Sequence, residues 1–380
     1  MNKPQVLVFI DWYKPHFKAG GPVRSLVNLV DHLHDQVDFH IVTGDRDYTD
    51  TLSPAALATD RWTIQDNDES VWYASSRGQT RTTWNKLLKD QRWDVVYING
   101  LYSKWSTIVP LWLLRASSQR RLVAVRGMLA AGPMRQGALK KRAFLAAMKA
   151  MGCFNGVEFQ ATNAEEVRDI ERWIGCRAKI HLAPNLARKP DGKGPLPMAK
   201  ERGALRLVSA ARIAEEKNTL FAIERLRAVK GAVRFDLYGT VYDQGYWGRC
   251  QQAIAALPPN VTVTWHGQLE NEQVLPVLGD HHALFMPSVG ENFGHALVEA
   301  FSVGRPVLTS ERTPWKDLEQ QKAGWDLPLE RPDRFTAAIQ DLVDMDQAAY
   351  DLWSAGAYAL GVRYLNDPVP VEQSLRLFQP

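Results

Sequence analysis

Residues 288–308 read SVGENFGHALVEAFSVGRPVL and set two carboxylates, Glu291 and Glu299, eight positions apart around a Phe-Gly-His run. The preceding HALFMPS is strand-like, so Gly290, Glu291, Asn292 and Phe293 fall in a loop, and Gly294 opens a helix whose Ala296, Val298, Ala300 and Phe301 can pack inward. The N–H groups of Gly294, His295 and Ala296 then lack intrahelical acceptors, which makes the helix start an anion site. A carboxylate beside an anion is unfavourable unless it has another task, and accepting hydrogen bonds from neutral sugar or ribose hydroxyls is such a task. The blander alternative stays open: Glu291 as a helix-start carboxylate favoured by the dipole, Glu299 as an exposed helix residue.

Other loops carry cations. In SAARIAEEKN, Arg212 and Lys217 stand five residues apart across a turn, able to hold a diphosphate with a guanidinium fork and a point charge, or to form a plain surface run with Glu215 and Glu216. In DWYKPHFKAGGPVRS, Gly20 and Gly21 precede a helix with Pro22 at its start and Arg24 in its first turn, so a ligand's negative group could approach the backbone there.

These loops need strands to present them. Strand-like runs at 5–10, 38–44, 70–75, 94–100, 121–127, 156–161 and 178–184 alternate with helical runs, the first helix spanning about 22–34, and the alternation restarts at 205–213, 233–240, 261–267, 282–288 and 306–311. This predicts α/β architecture with parallel sheets, where ligands sit beyond the carboxyl ends of the strands. Between the two series lies ARKPDGKGPLPMAKERGA, rich in Pro, Gly and charge, which reads as a linker over 188–204 between domains 1–187 and 205–355. Three scattered cysteines signal neither a disulfide framework nor a zinc site. No apolar run approaches the roughly 18 residues of a membrane span, and the start lacks a signal-peptide pattern, so a cytoplasmic location is expected.

The net charge of +4 divides unevenly: residues 1–190 hold 27 Lys and Arg against 18 Asp and Glu, and the remainder 19 against 24. Val95–Val157 contains no acidic residue and ten basic ones. Within it, ALKKRAFLAAMKAMG places Phe144, Met148 and Met151 at helical spacing beside Lys140, Lys141, Arg142 and Lys149, with Trp112 and Leu113 nearby, a pattern fit for peripheral contact with an anionic membrane on its inner face or for an ordinary solvated helix.

GENFGHALVEAFSVGRPVL resembles the E-x7-E signature of the family 4 retaining glycosyltransferases, and KAGGPVRS, PNLA, RIAEEKN, YGT and WHGQLENEQV resemble the family's other loops in order. The resemblance implies a GT-B fold, two Rossmann-like domains with parallel sheets facing a central cleft, and residues 356–380 returning to the N-terminal domain. It implies that Glu291 binds donor-sugar hydroxyls and that Asn292, Phe293, Gly294 and His295 line the sugar and diphosphate. Arg212 and Lys217 would neutralise the departing diphosphate, and Glu299 would hold the ribose. Gly20, Gly21 and Arg24 would approach the diphosphate, while Gly239, Trp265, His266 and Gly267 would border the base. Many relatives carry a histidine where this chain has Arg126, which is either a substitute contact or a basic surface residue. Asn99 and Ser103 are acceptor-side candidates.

The implied reaction transfers a sugar from a nucleotide sugar, UDP- or GDP-linked, to a glycan acceptor, lipid-linked, in bacterial surface polysaccharide synthesis, with retention and without metal or other cofactor. The alternatives are a sugar-nucleotide epimerase of the same fold and a non-enzymatic nucleotide- or nucleic-acid-binding module. Nucleic acid is not an expected partner, since Glu291 and Glu299 have no use there.

Overall fold

The structure is a computed structural model that describes residues 3–135, 137–190, 192 and 194–379. It divides into two compact units: one ends at Leu186 and resumes at Pro368, and the other is Ala187–Asp367.

Unit 1 carries β1 (Gln5–Phe9), β2 (Asp38–Gly44), β3 (Trp62–Ile64), β4 (Ser70–Ala74), β5 (Val95–Asn99), β6 (Arg121–Ala124), β7 (Val157–Ala161) and β8 (Lys179–Leu182) in one sheet of order β3-β4-β2-β1-β5-β6-β7-β8. Every pairing is parallel except β3 with β4. Its helices are α1 (Gly21–Leu33), α2 (Arg81–Lys89), α3 (Val109–Leu114), α4 (Ala131–Arg135), α5 (Ala138–Ala150) and α6 (Ala164–Trp173). The central strands are apolar on both faces because both are covered: Leu7, Phe9, Ile98 and Val123 enter one core, Val6, Val8, Tyr97 and Leu122 the other.

Unit 2 repeats the plan with β9 (Ala204–Ala210), β10 (Ala232–Tyr238), β11 (Val261–Trp265), β12 (Ala283–Met286), β13 (Val307–Ser310) and β14 (Gly324–Leu327), all parallel, in the order β11-β10-β9-β12-β13-β14. Its helices are α7 (Thr219–Arg225), α8 (Gln244–Ala255), α9 (Val274–Gly279), α10 (His295–Ser302), α11 (Pro332–Asp344) and α12 (Gln347–Leu365). In both sheets the strand order reverses beside the first strand, between β1 and β5 and between β9 and β12. Crevices at such reversals are the usual ligand sites of open parallel sheets.

The chain re-enters unit 1 at Pro368 rather than at 356. Residues 356–367 stay with unit 2 because α12 is pinned there: Tyr350 donates to the His282 carbonyl at 2.8 Å, and Gly361 sits so close to the Phe301 backbone that a Cβ would collide with it. The return is made by α13 (Val369–Arg376), after which Leu377 and Phe378 are buried in unit 1, the Phe378 ring 5.5 Å from both Phe39 and Tyr97. Residues 194–204 are also held along unit 2. The fully buried Arg305 donates to the carbonyls of Leu196, Gly279, Val303 and Gly304, and Lys200 to those of Glu201, Val343 and Met345.

One expectation is corrected. Phe144, Met148 and Met151 do not form one exposed apolar face: Met148 is 1% exposed in the core and Phe144 packs its ring 5.3 Å from Tyr102, leaving Met151 as the exposed one of the three. Leu113 packs against that same core, and Trp112 lies between Arg81 and Arg115. The apolar stripe of α5 is what covers the sheet, leaving Leu139, Lys140, Arg142 and Lys149 outside.

Candidate active site

The loops after β9 and β12 meet at the strand-order reversal of unit 2. Residues 215–217 form one tight helical turn, and each side chain grips a different opposite charge: Glu215 that of Arg249, Glu216 that of Arg212, Lys217 that of Glu291. Lys217 Nζ lies 2.5 Å from Glu291 Oε1, with both side chains largely buried. Ser288, fully buried at the end of β12, donates to the same oxygen at 2.8 Å. The backbone joins the loops as well, since Val289 N–H donates to the Glu216 carbonyl at 2.9 Å and Glu291 N–H to that of Arg312 at 3.2 Å.

Glu291 is therefore a fixed carboxylate with one oxygen engaged by a cation and a hydroxyl. Three residues later Gly294 takes φ 82, a left-handed conformation that caps the start of α10 with no side-chain hydrogen bond. Phe293 turns its ring inward against His295, Trp315 and Tyr364, and its carbonyl accepts from Trp315 Nε1 at 2.7 Å, so only backbone faces the loop from this position. His295 is buried and Asn292 lies between Glu291 and this aromatic cluster in the chain.

Glu299 is not an exposed helix residue; it is 6% exposed. It lies in the wall of a cavity of about 550 Å³ within unit 2, shared with Arg188, Leu275, Val298, Ser302 and Tyr358. That volume is in the range of small-molecule sites.

Gly239 ends β10 with φ 147, packed so tightly on the Ala211 carbonyl that any Cβ would overlap it. Its N–H donates to the Gly267 carbonyl at 2.7 Å, and its own carbonyl accepts from Trp265 Nε1 at 2.9 Å. The exposed indole of Trp265 is thereby fixed beside Trp247. His266 stacks on Tyr238 at 4.7 Å and bonds Asp236 at 2.7 Å. Burial raises the Asp236 carboxyl, but hydrogen bonds from His266, His281 and Arg234 outweigh it and hold the group below its ordinary range.

The remaining candidates belong to unit 1 and lie at or beyond the carboxyl ends of β1, β5 and β6. Gly20 takes φ 75 and caps α1, Gly21 begins it, and Arg24 N–H donates to the Gly20 carbonyl at 3.2 Å. Beyond β5, Ser103 donates to Asp11 Oδ1 and accepts from Ser106 N–H. Arg126, half-buried at φ 52, spends Nε on Asn99 Oδ1 at 2.7 Å, Nη2 on Tyr97 at 2.8 Å and Nη1 on Asn185. It ties the ends of β5 and β6 to Asn185.

Asp11, Ser288 and Tyr242 also join these clusters. Asp11 and Ser288 stand just beyond the carboxyl ends of β1 and β12, a position that could have drawn attention to them; Tyr242 meets Arg212 through a contact 30 residues distant in the chain, which no local pattern announces. Among the described residues, no three His, Cys, Asp or Glu side chains gather as a metal site.

Residues 204–345, which contain this loop cluster, match the family model described as Glycosyl transferases group 1. No curated protein sequence matches the chain. Among solved structures, it is similar to the sucrose-phosphate synthase of Thermosynechococcus elongatus, with a TM-score of 0.72 at 16% identity over 99% of this chain and 98% of that one. It is also similar to Anabaena HepE in complex with UDP and glucose, with a TM-score of 0.71 at 15% identity over 98% of both chains. WaaG, a glycosyltransferase involved in lipopolysaccharide biosynthesis, aligns with a TM-score of 0.61 at 12% identity over 99% of both. The fold is the two-domain Rossmann-like arrangement of GT-B proteins.

Proposed function

We propose that the chain is a glycosyltransferase that moves a sugar from a nucleotide sugar to a glycan acceptor with retention at the anomeric carbon. The observation that carries this reading is the convergence of Lys217, Glu291 and Ser288 at the strand-order reversal of unit 2, beside the start of α10 and inside the segment that matches the glycosyltransferase model. Lys217, Arg212 and the first N–H groups of α10 offset the charge that grows on the leaving diphosphate. Glu291 accepts from donor-sugar hydroxyls and Glu299 from the ribose. Front-face attack follows, the leaving phosphate taking the acceptor's proton. The fixed cations supply the stabilisation a divalent metal would otherwise give.

The likeness to HepE solved with UDP and glucose favours UDP over GDP as the donor's nucleotide, and the likeness to WaaG favours a lipid-linked acceptor in bacterial surface polysaccharide synthesis. Contact with an anionic membrane would run through the exposed cations Arg135, Lys140 and Lys149 beside the exposed Leu139 and Met151. Among the described residues, no helix is long and apolar enough to cross a membrane.

The test is a panel of UDP- and GDP-sugars with lipid-linked glycan acceptors, the product's anomeric configuration being read by NMR. Expected are transfer with retention and full activity in chelator. Inverted product, or strict dependence on magnesium or manganese, contradicts the site assignment. Interconversion of the nucleotide sugar without acceptor identifies an epimerase instead.

A further inference from the structure

The loops after β9 and β10 do not part at the end of the sheet. Ala211 N–H donates to the Tyr238 carbonyl and Ile213 N–H to that of Thr240, each at 2.9 Å; Tyr242 N–H returns to Ile213 at 3.1 Å, and Ile213 bridges Val241 in parallel. A short ribbon thus continues past the carboxyl ends of both strands, made possible by the close approach of Gly239 to Ala211. Its register carries Tyr242 under Arg212, whose Cζ lies 5.0 Å from the ring centroid. On its other side Arg212 Nη2 stands 3.2 Å from Glu216 Oε1, the residue before Lys217. The Tyr242 ring is half exposed and forms no part of either hydrophobic core of unit 2.

We infer that Tyr242 is a positioning residue for diphosphate binding: its ring holds the Arg212 guanidinium in the plane from which it meets the donor's phosphates. The inference rests on the reading of unit 2 as a nucleotide-sugar site. A long, flexible arginine loses rotamer freedom when it binds, and an aromatic face that fixes the cation beforehand removes part of that cost. Glu216 alone constrains one nitrogen; the ring constrains the plane. The contribution belongs to the phosphates, so it separates from recognition of base and ribose.

Titration calorimetry with UDP, GDP, UMP and uridine on the full chain tests this, with Tyr242→Ala, Tyr242→Phe, Arg212→Ala and the double variant Arg212→Ala/Tyr242→Ala, and thermal melts confirming folding. Tyr242→Ala is expected to weaken UDP binding by about three- to tenfold. It should leave uridine binding within twofold, while Tyr242→Phe retains the parent's affinity, and in the Arg212→Ala background the loss of Tyr242 should change nothing further. Equal weakening of UDP, UMP and uridine, failure of phenylalanine to rescue, or additive losses in the double variant overturn the inference. Weakening by Arg212→Ala with Tyr242→Ala neutral overturns it alone, leaving the nucleotide-sugar reading intact. A parent protein that binds none of UDP, UMP or GDP overturns both.

Discussion

Lys217 and Glu291, 74 residues apart in the chain, form a 2.5 Å ion pair that Ser288 completes from the end of β12. The pair brings the cation proposed to meet a diphosphate and the carboxylate proposed to meet a sugar into one contact. Each holds the other in place before any ligand arrives, and a buried partner left alone carries an uncompensated charge.

Removing that carboxylate separates turnover from binding. Glu291→Gln is expected to lower kcat by about two orders of magnitude, the scale of losing an interaction made in the transition state. UDP affinity should hold or rise, because Lys217 is released and a negative charge beside the diphosphate is gone. Lys217→Ala should do the reverse to affinity, weakening UDP at least about tenfold. Steady-state kinetics with calorimetry reads both, and unchanged kinetics in Glu291→Gln would remove it from the site.

Glu299 predicts a different loss. Its carboxylate is buried in the wall of the unit 2 cavity, where it can accept from two vicinal hydroxyls. Glu299→Ala should weaken UDP about tenfold and 2′-deoxy-UDP by less, the scale of lost hydrogen bonds to a charged group. An equal effect on both nucleotides argues that Glu299 does not touch the ribose.

Glu158 in unit 1 supplies a pH dependence away from the site. Burial raises its carboxyl, but hydrogen bonds from Arg120, Lys179 and His181 prevail and bring it to about 2. A depressed folded-state value contributes stability that is complete above the unfolded value near 4.5 and is lost as pH falls toward 2. The contribution is on the order of 3 kcal/mol at neutral pH. Urea unfolding of Glu158→Gln should show unit 1 weakened at pH 7, with the gap to the parent narrowing from about pH 5 down to about pH 2. A gap independent of pH would assign the loss to packing.

Membrane contact is tested on the face the fold leaves open. The chain should float with anionic vesicles and not with zwitterionic ones, and salt should reverse it. Arg135, Lys140 and Lys149 are the residues to change to glutamine. Lys141 and Arg142 are less suitable, since Lys141 donates to the Pro133 carbonyl at 2.6 Å and Arg142 lies over the Trp173 ring. Persistent flotation of the triple variant, or none in the parent, rejects the membrane surface as a partner.

What could be read from residues alone follows physical range. Twelve strands announce themselves as apolar runs bounded by turn residues, whereas β3 has only three residues and β14, Gly-Trp-Asp-Leu, has its apolar character broken by Gly324 and Asp326. The α5 stripe shows a different limit: helical spacing reveals an apolar face without saying what covers it, and here the sheet does. Within the site, Glu291 and Glu299 were visible through their spacing along a loop and helix. The partners that give them geometry, Lys217 with Glu291 and Tyr242 with Arg212, lie 74 and 30 residues apart, and only the crossing of β9 between β10 and β12 brings their loops together.

Phe378 and Leu377 also bear on how the protein is made. Their side chains occupy the interior of unit 1, and Arg120 closes on the Gln379 carbonyl at 2.8 Å, so the first unit is completed by residues that follow the whole of unit 2. A ribosome delivers the whole of unit 2, Ala187–Asp367, before it delivers these. Through that interval Phe39 and Tyr97 lack the ring that packs on them, and the nascent first unit is a sheet with an open seat. The order of synthesis and the order of completion are therefore inverted: the unit that begins first finishes last.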